Sequence, residues 1–173
     1  MLHIHRLLKV IFGSVKADRR FVKVDGVILN TISEISKRIN PLPNQSVFFT
    51  SIAYHKKLLN RQKEKALASL SSSFFLITGI ANPEPLVEFL KEEGKIFKHL
   101  NYPNHHEFKP EEIEEIKKLK QAQTIVTTEK DFGRLESYFS SEELFYLPIT
   151  MEFLEEKEAK EFKTLVASSI TKN

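Results

Sequence analysis

Two short stretches of the chain carry side chains that could do chemistry. Residues 102–108 read YPNHHEF and place two imidazoles side by side, at His105 and His106. The unperturbed pKa of an imidazole lies near neutrality, so such a group suits proton transfer or metal ligation. Residues 127–131 read TTEKD and combine hydroxyls with charged groups directly after an apolar, β-branched run. That profile is typical of a strand that leaves a core and opens a helix.

The adjacent histidines, His105 and His106, have a structural and a functional interpretation. On a strand their side chains would point to opposite faces, so at most one of them faces a common site. Beside a carboxylate, one imidazole could act as a general base or relay, whereas in a loop it could simply hydrogen-bond to backbone. A metal site is weakly indicated, because neighbouring histidines lack the i, i+4 helical spacing and no third ligand is obvious.

The second stretch also has two interpretations. Thr128 and Asp131 have the spacing of a helix capping box, although Asp is shorter than the usual Glu or Gln. Alternatively, the free N–H groups of the helix start could receive a phosphate, with Lys130 adding positive charge. Residues 79–83 (GIANP) form another turn that starts a helix. The phosphate-binding sequence G-x-x-x-x-G-K-[ST] does not occur in the 173 residues.

Alternating apolar patterns predict the elements that position these stretches. Strands are predicted over residues 26–31, 46–52, 74–78, 95–100, 124–127 and 144–149. Helices are predicted over residues 2–12, 34–39, 110–120, 129–139 and 153–169, with a further helix capped by Asn82 and a partly helical basic segment over 55–70.

This alternation predicts an α/β fold with three layers, a mainly parallel sheet with helices on both faces, plus an N-terminal helical arm. The predicted division is an arm over residues 1–22 and an α/β domain over residues 23–173. Ligands of such sheets bind beyond the carboxyl ends of the strands. Residues 79–83, 101–108 and 127–131 all follow strands, so we expect them to share that edge.

Composition indicates an ordinary globular protein, with 41% apolar and 28% charged residues and a net charge of only +3. Lysine and glutamate are interleaved over residues 64–163, which argues against nucleic acid as a partner. The absence of cysteine excludes disulfides and thiolate sites. Residues 2–12 lack the features of a signal peptide. Within residues 1–20, an amphipathic helix could dock on the domain or lie at a membrane surface.

Three motifs in register resemble one known family. Residues 78–83 (TGIANP), 102–108 (YPNHHEF) and 127–131 (TTEKD), the last followed by Arg134 and Leu135, resemble in order and spacing the C-terminal half of tetraacyldisaccharide 4'-kinase. This family comprises the lipid A kinases of Gram-negative outer-membrane biogenesis. Two further segments resemble Bacteroidetes-type members, at residues 47–54 and 144–149. The resemblance extends over about residues 24–155.

The resemblance implies transfer of the γ-phosphate of ATP, with Mg²⁺, to the 4'-hydroxyl of the lipid A disaccharide precursor. It implies two α/β lobes, with the P-loop, the magnesium carboxylates and a catalytic Asp in the N-terminal lobe. A histidine of the family's D-H-H motif pairs with that Asp, and it corresponds to His105, with His106 as the second choice. The resemblance also implies residues close to substrate or nucleotide, namely Asn104, His106, Thr127, Thr128, Glu129, Lys130 and Asp131. The implied location is cytoplasmic, at the inner face of the inner membrane.

The sequence departs from the family pattern in several places. Asn104 stands where the motif has Asp, which removes a carboxylate that could orient the adjacent imidazole. Residues 27–32 lack the family's Thr-Lys strand ending, and residues 1–20 match the family poorly. The P-loop lobe is missing, so we expect this chain alone to be inactive as a kinase and a separate P-loop lobe to be a partner.

Two alternatives remain at the level of sequence. One is a non-catalytic α/β domain, derived from the family, that binds anionic lipid or nucleotide through its basic segments. The other is a metal-dependent hydrolase that uses His105 and His106, for which no carboxylate ligand can be identified.

Overall fold

A computed structural model describes residues 9–13, 21–23, 46–70 and 73–170. These residues divide into two compact units. One unit comprises Tyr54–Thr150, and the other combines the described residues up to Ala53 with those from Met151 onward. The predicted boundary between residues 22 and 23 stays a prediction.

The described residues form strands and helices with the following bounds. The strands are β1 (Lys9–Gly13), β2 (Phe21–Lys23), β3 (Ser46–Tyr54), β4 (Lys57–Leu59), β5 (Glu64–Ala66), β6 (Phe74–Thr78), β7 (Phe97–Asn101), β8 (Ile125–Thr128), β9 (Leu144–Leu147) and β10 (Ile149–Phe153). The helices are α1 (Glu84–Glu92), α2 (Pro110–Lys120), α3 (Glu129–Leu135) and α4 (Glu156–Ile170), and a 3-10 turn covers Leu67–Ser69.

The unit Tyr54–Thr150 is built on a six-stranded sheet with the order β5-β4-β9-β8-β6-β7. The four strands β9, β8, β6 and β7 pair in parallel, whereas β4 pairs antiparallel with β9 and with β5. Helices connect the parallel strands, as parallel pairing requires. The predicted α/β class and the mainly parallel sheet are confirmed.

Strand β6 shows why this sheet has helices on both faces. All five of its residues are buried, as expected of a central parallel strand. Phe74 and Leu76 belong to a core with Leu90 of α1. Phe75 and Ile77 belong to a separate core with residues of α2 and α3, among them Ile113, Ile116, Phe132 and Leu135. The predicted three-layer arrangement is confirmed.

The other unit contains a four-stranded sheet with the order β10-β3-β1-β2. Strand β1 pairs antiparallel with β2 and with β3. The ring of Phe48 meets the rings of Phe153 and Phe162 edge-on, with centroid distances of 6.3 and 5.4 Å. The helix predicted over residues 2–12 is wrong for residues 9–13, because these pair as β1. The remaining part of that prediction, residues 2–8, lies outside the described residues.

The basic segment over residues 55–70 is not helical, which corrects the prediction. It forms the hairpin β4–β5 and the 3-10 turn. The side chain of Asn60 accepts hydrogen bonds from the backbone N–H groups of Gln62 and Lys63 at 2.9 and 2.8 Å, and such a side chain stabilises a turn. Burial of Leu58 between two less buried neighbours follows the strand period of two.

The cations of this hairpin are neutralised by acidic side chains. One ion pair lies within the hairpin, Lys57–Glu64, and three reach other segments, namely Lys56–Glu93, Arg61–Glu136 and Lys63–Glu142. Lys65 lies over the ring of Phe145 instead, with its ammonium 5.9 Å from the ring centroid. The segment therefore does not present the unbalanced positive patch that its sequence indicates.

Several predicted boundaries shift. Helix α3 ends at Leu135 rather than at 139, and the predicted strand over 144–149 is divided between β9 and β10. Pro83, not Asn82, is the N-cap of α1. The strand and helix predicted over 26–31 and 34–39 lie outside the described residues. In the part of the chain that the structure describes, no helix is long and apolar enough to cross a membrane.

A buried lysine in this fold makes its stability sensitive to acid. Lys120 is 3% exposed, and its ammonium lies 2.5 Å from the carboxylate of Glu143. Hydrogen bonds from Lys120 and Ser140 lower the pKa of Glu143 from 4.5 to about 2. Because the folded-state pKa is lowered, this stabilisation is present above pH 4.5 and is lost as the pH falls through about 2.

We therefore expect the free energy of unfolding to decrease between pH 4.5 and about 2, and Lys120→Met to make that decrease smaller. Urea denaturation at a series of pH values measures both. The matched control is Lys117→Met, which removes an exposed ion pair with Glu114 on the same helix. In this variant the free energy of unfolding should fall with pH as steeply as in the parent. Equal slopes for the parent and Lys120→Met would contradict the role of the pair.

Candidate functional site

Three loops meet at one edge of the parallel sheet. Strands β8, β6 and β7 are neighbours and run in the same direction, so their carboxyl ends lie together. Backbone hydrogen bonds join the loops that follow β6 and β7. Tyr102 N–H donates to the carbonyl of Thr78 at 2.7 Å, and His105 N–H donates to the carbonyl of Gly79 at 3.1 Å. The shared edge predicted for these loops is present in the structure.

Asp131, in the first turn of α3, lies at the centre of this edge. Its side chain is fully buried, with an exposed fraction of 0%. One carboxylate oxygen accepts the N–H of Gly79 and the hydroxyl of Thr128, both at 2.8 Å. The other accepts from Arg134 Nη1 at 3.0 Å. Asp131 therefore holds the loops together, with both carboxylate oxygens engaged in hydrogen bonds.

Gly79 is buried where the three loops touch. A Cβ added to it would lie 3.1 Å from Asp131 Oδ1, 3.4 Å from the carbonyl of Pro103 and 3.6 Å from Cβ of His106. The shortest of these distances is closer than ordinary van der Waals contact, and the Asp131 side chain is anchored by three donors. The absence of a side chain at Gly79 therefore allows the histidine loop to approach the start of α3.

His105 lies on the exposed side of the loop, with a positive φ of 63°. The ammonium of Lys130 contacts His105 Nε2 and Asn104 Oδ1, each at 3.3 Å. An ammonium group only donates hydrogen bonds, so Nε2 of His105 must present its lone pair in this contact. The three side chains form an exposed polar cluster that combines a cation with a proton-accepting nitrogen.

His106 is held in a different environment. Its ring stacks on Tyr102 with a centroid distance of 4.7 Å and meets Phe108 edge-on at 5.0 Å. Its Nε2 lies 2.9 Å from Glu112 Oε2. A carboxylate only accepts hydrogen bonds, so Nε2 of His106 donates. The two adjacent histidines therefore use Nε2 in opposite ways, and His106 is the one fixed by packing.

Glu112 connects the histidine loop to the start of α2. The same carboxylate oxygen accepts the backbone N–H of Lys109 at 2.8 Å, as in a capping box. Hydrogen bonds from Lys109 N–H and from His106 lower the pKa of Glu112. Sequence reasoning missed Glu112, although the Glu at the third position of a helix is the usual signal for a capping box.

The TTEKD stretch separates into core and edge positions. Thr127 is fully buried, and its hydroxyl donates to the carbonyl of Ile77 at 2.7 Å, so it joins β8 to β6. Thr128 is the N-cap of α3, and its hydroxyl accepts the N–H of Asp131 at 3.1 Å. Glu129 and Lys130 are exposed. The predicted cap at Thr128 is confirmed.

A second polar cluster beside this edge was not singled out from sequence. The hydroxyl of Thr78 donates to Asn101 Oδ1 at 3.1 Å and lies 2.8 Å from His99 Nε2. Burial lowers the pKa of His99, while the negative charge of Glu84 acts in the opposite direction. The cluster follows from the parallel register of β6 and β7, which places Thr78 opposite Asn101. A single sequence does not reveal this register, so the cluster could not be predicted from it.

The residues of the site do not fit Mg²⁺. Among the described residues, no group of three or more histidine, aspartate or glutamate side chains gathers as metal ligands would, and the oxygens of Asp131 already accept three donors. The cluster of His105, Lys130 and Asn104 is better suited to phosphate oxygens, because it is exposed and carries an ammonium group.

Comparison with known proteins identifies the family. The family model described as Tetraacyldisaccharide-1-P 4'-kinase matches residues 16–170. The chain belongs to this family. It is 34% identical over 123 residues to the tetraacyldisaccharide 4'-kinase of Flavobacterium johnsoniae, covering 70% of this chain and 36% of the relative. It is 38% identical over 128 residues to that of Flavobacterium psychrophilum, with 72% and 37% coverage.

The protein of the same name from Bacteroides thetaiotaomicron is 35% identical over 147 residues, covering 73% of this chain and 39% of the relative. The predicted resemblance to Bacteroidetes-type members is thereby confirmed. The matches cover little more than a third of each of these relatives. No solved structure matches the chain.

Proposed function

We propose that this chain is the C-terminal part of a tetraacyldisaccharide 4'-kinase, which phosphorylates the lipid A disaccharide precursor with ATP. Membership of the family supports the reaction, and coverage of little more than a third of the relatives supports the assignment to one part. The observation that carries the proposal is the exposed His105 imidazole, held beside Lys130 at the carboxyl edge of the sheet.

In this proposal, His105 is the catalytic residue contributed by the chain. Its Nε2 lone pair faces the Lys130 ammonium in the structure, so it can accept a hydrogen bond or a proton from a group brought to the edge when Lys130 turns to a phosphate oxygen. Lys130 adds a positive charge that can contact a phosphate oxygen, and Asn104 helps to orient Lys130. Phosphoryl transfer depends mainly on positioning and on stabilisation of charge, which are contributions that exposed donors can make.

The parts that this sequence lacks would come from elsewhere. The P-loop and the ligands of Mg²⁺ belong to the other lobe in this proposal, so we expect the isolated chain to have no kinase activity. Because ATP is cytoplasmic and an acylated substrate remains in the bilayer, the reaction would occur at the inner face of the cytoplasmic membrane. Contact of residues 1–20 with that membrane is part of the proposal, and of these residues the structure describes only 9–13, as β1.

The alternative, a non-catalytic domain that binds anionic lipid or nucleotide through basic segments, loses the support of the segment over residues 55–70. The basic hairpin that would bind an anion is neutralised by ion pairs to Glu64, Glu93, Glu136 and Glu142. An anion-binding domain would thus use the same edge as the kinase lobe, and the two proposals differ in whether catalysis follows binding.

Binding of ATP with Mg²⁺ to the purified chain, measured by calorimetry, tests the proposal. We expect weak binding, because most phosphate contacts of this enzyme class lie on the P-loop lobe. His105→Ala should weaken it about fivefold, which corresponds to about 1 kcal/mol.

The matched control is His55→Ala, which removes another exposed histidine from the same unit and should leave the affinity unchanged. An absence of heat at millimolar nucleotide, or an equal loss in both variants, would remove the nucleotide surface from the proposal.

A further inference from the structure

A buried carboxylate is connected to the exposed histidine through hydrogen bonds. Asp131 is 0% exposed and accepts three hydrogen bonds from three different residues, Gly79, Thr128 and Arg134. A buried carboxylate is stable only when its oxygens are satisfied in this way. The donor from Gly79 lies 52 positions away in the sequence, so this contact joins two separate loops and is not part of a local cap.

Gly79 connects the Asp131 carboxylate to the histidine loop. Its N–H donates to Asp131 at 2.8 Å, while its carbonyl accepts the N–H of His105 at 3.1 Å. A single residue therefore separates the carboxylate from the backbone of His105. Lys130 directly precedes Asp131 in the chain, and it contacts the His105 ring from the exposed side. The first turn of α3 thus holds His105 by its backbone and by its ring.

The loop needs such support because His105 has a positive φ of 63°. For a residue other than glycine this conformation is strained, and it persists only when surrounding contacts impose it. The contacts that do so are the Gly79 carbonyl and the hydrogen bond from His106 N–H to the carbonyl of Pro103 at 3.1 Å. Loss of the Gly79 anchor would release one of these two restraints.

We propose that Asp131 is the positioning residue of the histidine loop: by holding Gly79 it sets the backbone, and hence the ring, of His105. That this ring is catalytic rests on the proposed function, whereas the positioning itself does not. A plain capping role does not account for the geometry, since both carboxylate oxygens are used by Gly79, the Thr128 hydroxyl and Arg134.

Four variants separate positioning from general stability. Asp131→Ala removes every bond of the carboxylate. Asp131→Asn keeps an oxygen that accepts from Gly79 and Thr128. It gives up only the bond from Arg134, because an amide NH2 and a guanidinium both donate, so it should retain the loop. Arg134→Ala removes only the ion pair. Thr127→Val is the matched control, because it removes a buried hydrogen bond from the adjacent strand to Ile77 and touches neither Gly79 nor His105.

Amide hydrogen exchange and the three-bond HN–Hα coupling of His105, both measured by NMR on the 173-residue chain, are the readouts. In Asp131→Ala, exchange at Gly79 and His105 should accelerate about tenfold beyond any change in the rest of the sheet, as expected for a lost hydrogen bond to a charged acceptor. The coupling of His105 should change as well. Asp131→Asn and Arg134→Ala should restore or keep the parental values at both amides.

Parental exchange and coupling in a folded Asp131→Ala, or the same local changes in Thr127→Val, would overturn the proposal. If Asp131→Ala fails to fold, the unmutated protein still tests the proposal. A scalar coupling across the hydrogen bond, between the Gly79 nitrogen and the Asp131 carboxyl carbon, reports this contact directly. Its absence would also overturn the proposal. These readouts are independent of nucleotide, so a failure of ATP binding counts against the proposed function and leaves the positioning role standing.

Discussion

Transfer of phosphate to a tetraacylated disaccharide is expected when this chain is combined with a P-loop lobe of the same family, and not with either chain alone. The physical reason is that phosphate cradling and metal binding belong to a sequence, G-x-x-x-x-G-K-[ST], that this chain lacks. The chain supplies an exposed imidazole and an ammonium group instead. Release of ADP in the presence of the lipid substrate, followed with each chain alone and with the mixture, measures the effect.

In the reconstituted enzyme, His105→Ala should lower kcat by about 10²-fold or more, the usual contribution of a positioned acid or base. His55→Ala should leave kcat unchanged, since His55 lies on the exposed surface of the same unit and takes no part in the site. Activity of this chain without the P-loop lobe would refute the expectation. Full activity of the His105→Ala mixture would leave the family assignment intact but remove His105 from catalysis.

Gly79→Val should lower the free energy of unfolding by about 2–3 kcal/mol, the usual cost of overpacking a dense interior. The first added carbon alone would lie 3.1 Å from Asp131 Oδ1, and that oxygen cannot move away without leaving Arg134. The other new atoms would press on the carbonyl of Pro103 or on His106. Urea denaturation followed by circular dichroism measures the loss.

Gly133→Ala is the matched control for Gly79→Val. Gly133 is an exposed residue of α3, and a Cβ added there meets nothing within 4 Å. Because alanine is the better helix former, this variant should be stabilised by about 0.5–1 kcal/mol. A Gly79→Val variant as stable as the parent would show that the three loops do not meet as closely as the structure has them.

Residues 74–135 form the part of the fold that sequence predicted best. The strand FFLIT, the helix from Pro110 and the TTEKD helix start all appear near their predicted places. These segments combine a clear apolar period with Pro, Gly or Thr at their ends, so local preference and tertiary structure agree. The shared carboxyl edge follows from the strand–helix alternation alone, because parallel strands place their carboxyl ends together.

Residues 9–13 show where local pattern fails. Ile4, Leu7, Leu8 and Ile11 match the helical period, yet the segment from Lys9 pairs with β3 over five residues. A short apolar run fits both periods, and the choice between them depends on a partner strand far away in the sequence. The basic segment over 55–70 is a similar case, because its cations pair with acidic side chains directly after α1, on β5 and beyond α3.

The sequence by itself determined which residues could do chemistry and at which edge they meet. It could not determine which role each of these residues has. Tertiary structure decided that His105 is exposed while His106 is stacked on Tyr102 and bonded to Glu112. It also decided that Asp131 is buried and bonded to Gly79. These outcomes depend on one positive φ and on hydrogen bonds between distant loops, and neither is encoded in residue type or local spacing.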